Sequence, residues 1–139
     1  MKLREIMSKD VQVIHPDETL QMAAQKMRDH DIGFLPVCEG ERLVGVITDR
    51  DLALRGIAAG VNAKAMLGRD LMTSPIIYCF EDQDVDEAAQ LMEEYQIRRV
   101  AVLSRNDKRL VGVVSLGDIA KNSTKEMSAE VLQSVSEPT

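Results

Sequence analysis

Apolar residues fall at Leu20, Ala23, Ala24 and Met27, the i, i+3, i+4, i+7 spacing of one helix face. The same spacing returns at Val85, Ala88, Ala89 and Met92. The pattern predicts two amphipathic helices, ending near His30 and Tyr95. Asp17 and Asp82 stand just upstream, among the acidic and hydroxyl residues that favour helix starts. Before each helix lies a short β-rich run, Val11–Ile14 and Ile76–Phe80, each predicting a strand. After each helix come two apolar runs joined by polar turn residues. Phe34–Cys38 and Leu43–Thr48 flank Glu39-Gly40-Glu41, and Val100–Ser104 and Leu110–Ser115 flank Arg105–Lys108. A final helix is predicted from Asp51 to about Ala59, and another from Asp118 onward.

The chain is therefore written twice, as a β-α-β-β-α unit. Arg4 aligns with Arg69, Met7 with Met72, Asp17 with Asp82, and Ala23-Ala24-Gln25 with Ala88-Ala89-Gln90. Beyond a two-residue difference at the turn, Arg42-Leu43-Val44-Gly45-Val46 aligns with Arg109-Leu110-Val111-Gly112-Val113. Such an internal repeat decides the architecture before any other feature. Residues 1–59 form the first repeat, 60–67 a connector, 68–122 the second repeat and 123–139 a polar tail. Met127, Val131, Leu132 and Val135 in that tail fall on one face of a short terminal helix. A unit of roughly 55–60 residues buries too little surface to be robust alone. The expectation is an α/β (α+β) fold in which two repeats pack with pseudo-twofold symmetry.

Composition narrows the function. Of 139 residues, 45% are hydrophobic and only 3% aromatic, so the core must be aliphatic, helped by eight methionines. The net charge of −6 argues against nucleic acid or an anionic membrane as partner. No apolar run approaches the roughly 20 residues of a membrane span. The first residues lack a secretory apolar region, which points to the cytoplasm. Cys38 and Cys79 form no CxxC and have no zinc-ligand spacing with the two histidines, so they read as small buried hydrophobes. His15 and His30 read as surface residues. With no nucleophile–base arrangement in view, the chain is not expected to be an enzyme or to hold a metal.

The candidate chemistry lies at the end of each repeat. Gly45-Val46-Ile47-Thr48-Asp49-Arg50-Asp51 is answered by Gly112-Val113-Val114-Ser115-Leu116-Gly117-Asp118. One reading is structural: S/T-x-x-D is close to a helix capping box. The other is a binding site. A strand ending in a hydroxyl at a helix start can meet a phosphate, and an aspartate one turn in can accept both hydroxyls of a ribose. Gly45 and Gly112 leave room for close approach of backbone or ligand. The two copies differ. Arg50 stands where the second repeat has Gly117, and Arg98-Arg99 stand where the first has Gly33-Phe34. Unequal sites are expected, with Arg50 offering an extra phosphate cation at the first and Arg98 or Arg99 able to reach phosphate at the second.

These motifs, together with phrases such as HDIGFLPV and GVITDRDLA, resemble a tandem pair of CBS domains, the Bateman module, over residues 3–122. The similarity is to small stand-alone bacterial CBS-pair proteins. The resemblance implies that Thr48 and Asp51 serve one ligand site, and Ser115 and Asp118 the other, the hydroxyl meeting phosphate and the aspartate the ribose of an adenosine ligand. It also implies that backbone groups of the first strand and of the strand before the hairpin hold the adenine, here at Val13, Leu35, Pro36, Val37, Ile77, Tyr78 and Val100. The implied ligand is an adenine nucleotide (AMP, ADP or ATP) or an S-adenosylmethionine-like compound, bound in clefts between the repeats. The implied assembly is a homodimer formed through helices, acting on a regulated protein that the sequence does not identify. The alternative is a ligand-free dimer serving as a protein-interaction or stress-response module.

Overall fold

The computed structural model describes residues 1–74 and 76–122, so the helix expected in the tail lies outside the described residues. The chain forms two compact units. The repeats written in the sequence and the units of packing are different divisions of the chain. One unit is the continuous stretch Gln12–Ile76; the other joins Met1–Val11 to the chain from Ile77 onward.

In the continuous unit, α1 (Leu20–His30) leads to the antiparallel pair β1 (Phe34–Glu39) and β2 (Arg42–Thr48). The turn between them uses Gly40 at φ +61°, a left-handed conformation that suits glycine. Thr19 caps α1, its hydroxyl accepting from the Met22 amide at 3.2 Å. Leu20, Ala23 and Met27 pack inward with Ile14, Leu35, Val37, Ile47 and Leu71. Ala24, on the edge of the apolar stripe, stays exposed.

Val11–Ile14, expected as a strand, makes only an isolated parallel bridge between Ile14 and Val37. The Ile14 amide donates to the Pro36 carbonyl and its carbonyl accepts from the Cys38 amide. One position earlier, the Val13 carbonyl is occupied by the Lys26 ammonium, and Pro16 brings no amide to continue a ladder. After β2 comes a single helical turn, α2 (Asp49–Asp51). The chain then widens into a π-helix over Leu52–Ile57, where a six-residue stretch of the expected α-helix takes i to i+5 geometry. Gly56 lies under Leu20 there: a Cβ on Gly56 would meet Leu20 Cδ2 at 2.9 Å. The short helix α3 (Gly68–Leu71) closes the unit, and Thr73 pairs with Val46.

The second unit repeats this plan. β3 (Tyr78–Phe80) runs parallel to β4 (Arg99–Leu103), which pairs antiparallel with β5 (Leu110–Ser115). The helix α4 (Val85–Tyr95) packs Val85, Ala88, Ala89 and Met92 against Val100, Val102 and Val114, and α5 (Leu116–Asn122) follows β5. Here the partner of the second repeat is the chain's own first segment. Leu3 is fully buried in this core, and Ser8 exchanges backbone hydrogen bonds with Val113 at 2.9 and 3.0 Å. In the continuous unit the bridge between Thr73 and Val46 occupies the matching place. Each repeat's leading segment thus packs against the body of the other repeat.

The equivalence extends to detail. Both long helices end on a left-handed residue, Asp31 at φ 52° and Gln96 at φ 53°. Both hairpins shift register at one place, Val37/Cys38 and Val102/Leu103. The matched carboxylates Asp17 and Asp82 each bind an arginine, but from different sources. Arg69 of the leading segment serves Asp17, whereas Arg105 of the hairpin turn grips Asp82 with three contacts of 2.8–3.0 Å. Arg105 also lies 4.3 Å from the centroid of the Phe80 ring.

Candidate functional site

Each site begins where the second strand of its hairpin runs out, β2 in one unit and β5 in the other. Thr48 is still extended, at φ −112° and ψ 164°, and the next residue turns into helix. Its hydroxyl accepts from the Asp51 amide at 3.2 Å while its own amide donates to Asp51 Oδ2 at 2.9 Å. In the second unit the Ser115 amide donates to Asp118 Oδ2 at 2.9 Å, and the Asp118 amide donates to Ser115 Oγ at 3.0 Å. Both junctions are closed capping boxes, so the structural reading of the motif holds in both copies.

The boxes use only one oxygen of each carboxylate. The hydrogen bonds run to Oδ2, and Oδ1 of Asp51 and of Asp118 has no partner among the described residues. Both aspartates are half-buried. Capping and ligand binding therefore do not compete for the same atom. A carboxylate oxygen fixed by its twin is oriented at no further entropic cost, and it can still accept a hydrogen bond from a hydroxyl.

Gly45 and Gly112 do admit a close approach, and what approaches is the chain itself. A Cβ on Gly45 would lie 2.6 Å from Met72 Sδ, and one on Gly112 would lie 2.7 Å from Met7 Sδ and 2.8 Å from the Ser8 carbonyl oxygen. The close neighbour is the exchanged leading segment, so these glycines serve packing behind the site. Leu35, Val37 and Val100 turn their side chains into the two cores. Pro36 is buried, and its carbonyl is engaged by the Ile14 amide. These residues can offer a ligand backbone groups only. Val13 lies beside the bridge made by Ile14. Ile77 just precedes β3, and Tyr78 opens that strand opposite Ala101 with its ring edge-on to Phe80 at 5.5 Å.

The surroundings of the two boxes differ more than the sequence suggests. In the second unit Arg99 stands directly opposite Ser115 in the ladder, and the Leu116 amide donates to the Arg98 carbonyl at 2.8 Å. Both arginines therefore sit at the mouth of the box. A cavity of about 350 Å³ opens there, lined by Arg98, Arg99, Ser115, Leu116, Gly117 and Ala120. In the continuous unit the equivalent backbone bond runs from the Asp49 amide to the Gly33 carbonyl at 3.0 Å. Asp49 folds its side chain back over Gly33, with Oδ1 accepting from the Arg50 amide at 2.8 Å. Arg50, expected to add a phosphate cation, thus has its backbone amide on that carboxylate, while its guanidinium makes no ion pair among the described residues.

The remaining candidates are settled by burial. Cys38 and Cys79 are buried free thiols, and burial pushes each up to about 11. At neutral pH they are protonated and unreactive. Among the described residues no three His, Cys, Asp or Glu side chains gather to hold a metal ion, and no helix is long and apolar enough to cross a membrane.

A doubled α+β unit with one boxed hydroxyl–carboxylate junction per repeat defines a tandem regulatory module. The sequence profile of the CBS domain matches residues 3–56 and 68–125, and the chain belongs to that family. Hypoxic response protein 1 of Mycobacterium tuberculosis is 38% identical over 136 residues, covering 97% of this chain and 94% of its own. The crystal structure of hypoxic response protein I with two coordinated zinc ions has a TM-score of 0.82 and 41% identity, covering 89% of this chain and all of its own. The CBS domain pair of protein MJ0100, crystallised in complex with 5′-methylthioadenosine and S-adenosyl-L-methionine, has a TM-score of 0.75 and 33% identity, covering 87% of this chain and 94% of its own.

Proposed function

We propose that this chain is a non-catalytic, cytoplasmic sensor of an adenosine-containing ligand. Thr48 with Asp51 and Ser115 with Asp118 are its two recognition points. The observation that carries the reading is the half-used carboxylate. In both copies the aspartate is locked by one oxygen and presents the other, which suits a ribose hydroxyl. The adenosine compounds bound by the MJ0100 pair support the ligand class. Backbone groups of Leu35, Val37, Ile77, Tyr78 and Val100, with the Val13 amide, would hold the base. The signal would pass through a homodimer to a regulated protein. Exposed apolar residues on helical segments, Leu54, Tyr95 and above all Ile57 at 80% exposure, suit such contacts.

The test is thermal unfolding with AMP, ADP, ATP and S-adenosylmethionine in turn. A ligand at 100 times its Kd stabilises by about 2.7 kcal/mol, an upward shift of roughly 10 °C for a domain of this size. The shift should disappear when Asp51→Ala and Asp118→Ala are combined, each variant being compared with its own ligand-free melt. A shift that survives both substitutions refutes the ribose assignment. No shift with any compound leaves the ligand-free interaction module as the better reading.

A further inference from the structure

The two boxes are built alike, yet they present different charge to whatever lies beyond the ribose: two arginines at one, an aspartate beside a single arginine at the other. We infer that the chain binds one polyanionic nucleotide, at the Ser115–Asp118 box, and that Asp49 bars a polyphosphate from the Thr48–Asp51 box. This inference rests on the proposed nucleotide reading and adds to it which copy accepts which class of ligand.

The Ser115 side has the cavity and two cations at its rim. Neither the Arg98 nor the Arg99 guanidinium is paired with a carboxylate among the described residues. An unpaired guanidinium is always charged and matches phosphate oxygens in a fixed, two-pronged geometry. The backbone bond from Leu116 to Arg98 and the ladder pair of Arg99 with Ser115 hold both stems beside the hydroxyl. At position 117 glycine adds no side chain to the rim.

Aligned with these positions in the other unit are Gly33, Phe34, Asp49 and Arg50. Two cations become one, Arg50, and a neutral leucine becomes an aspartate. That aspartate occupies the space a side chain at 33 would need: a Cβ on Gly33 would lie 2.5 Å from Asp49 Oδ2 and 2.9 Å from its carboxyl carbon. The place of the first arginine is thus filled by a carboxylate, whose repulsion for phosphate offsets the attraction of Arg50 next to it. An adenosine compound without phosphates, neutral or cationic, meets no such penalty there.

Isothermal titration of the full chain with ATP, ADP and S-adenosylmethionine tests this. One ATP per chain is expected. Arg98→Ala combined with Arg99→Ala should weaken ATP at least tenfold while leaving S-adenosylmethionine nearly unchanged. Removing two cations elsewhere, with Arg55→Ala and Lys64→Ala, should alter ATP affinity by less than threefold. Gly33→Arg with Asp49→Leu copies the second repeat into the first and should add a second ATP, with folding of each variant checked by urea melt. Two equivalent ATP sites in the unaltered chain would overturn the inference. So would ATP affinity indifferent to Arg98 and Arg99, although the nucleotide reading would survive either result. Failure of every adenosine compound to bind would overturn both.

Discussion

Alanine at the two packing glycines should separate a soft contact from a hard one. At Gly45 the added methyl group meets only the Met72 side chain, with Sδ at 2.6 Å, Cγ at 2.9 Å and Cβ at 3.0 Å. Methionine is flexible and can swing aside. At Gly112 the methyl group meets Met7 Sδ at 2.7 Å, but also the Ser8 carbonyl oxygen at 2.8 Å. That oxygen is backbone and accepts from the Val113 amide at 3.0 Å, so it cannot yield without disturbing the bridge. Overpacking costs about 1–3 kcal/mol, and alanine in place of glycine in a strand returns about 0.5–1 kcal/mol. Gly45→Ala should therefore cost about 1 kcal/mol. Gly112→Ala carries the full overpacking cost and puts at risk two hydrogen bonds worth about 1 kcal/mol each, for a net loss of about 2–3 kcal/mol. In urea, with a slope of about 2 kcal/mol per molar, the midpoints should fall by about 0.5 M and more than 1 M respectively. Met72→Ala in the Gly45→Ala background should show strong favourable coupling, whereas Met7→Ala should restore Gly112→Ala only in part. If Gly112→Ala is as stable as the unaltered chain, or loses less than Gly45→Ala, the leading segment is not held where described.

Three further outcomes are expected. Arg105 holds the Asp82 carboxyl below its ordinary value of 3.8, so the pair stabilises fully above that value and fades as pH falls through the depressed one. The stability gap between the unaltered chain and Arg105→Ala should then shrink in acid melts near pH 2, leaving the pH-independent contact with Phe80. Burial raises the Cys38 and Cys79 thiols from 9.0 to about 11. Their contribution is complete below pH 9 and lost as pH rises toward 11, so replacing both with alanine should flatten that part of the curve of urea midpoint against pH. Gln96→Gly should stabilise by up to about 1 kcal/mol by relieving a left-handed conformation, and Asp31→Gly by less, because aspartate tolerates that region better; thermal melts of the two variants decide it.

Much of this molecule can be read from period and spacing. The α1 and α4 stripes gave their own ends, because a 3.6-residue rhythm stops abruptly at His30 and Tyr95. The hairpin strands follow from β-branched runs flanking turn residues. The capping boxes were visible as S/T-x-x-D, since that motif acts over one helical turn. What escaped depends on residues far apart in the chain. Ser8 and Val113 carry no shared pattern, and the stretch from Met7 to Asp10 has no rhythm to mark it as part of a distant unit. Gly45 and Gly112 advertised a close approach without saying what approaches. Nothing in the spacing around Asp49 marks its side chain for folding over Gly33. Val11–Ile14 has strand composition, but one bridge is all its neighbours allow.

The exchange of leading segments sets an order on folding. Everything in the unit Gln12–Ile76 is contiguous, so it can complete its contacts while later residues are still being made. The other unit needs Leu3 and Ser8, made first, to find strands made some hundred residues later, which closes a loop that contains an already folded unit. The entropy of that closure grows only logarithmically, as about (3/2)RT ln n, so its thermodynamic cost is modest while its kinetic cost falls on the last step. A fragment cut at the sequence repeats would separate each leading segment from the strands it completes. A fragment of residues 12–76 would keep one unit whole.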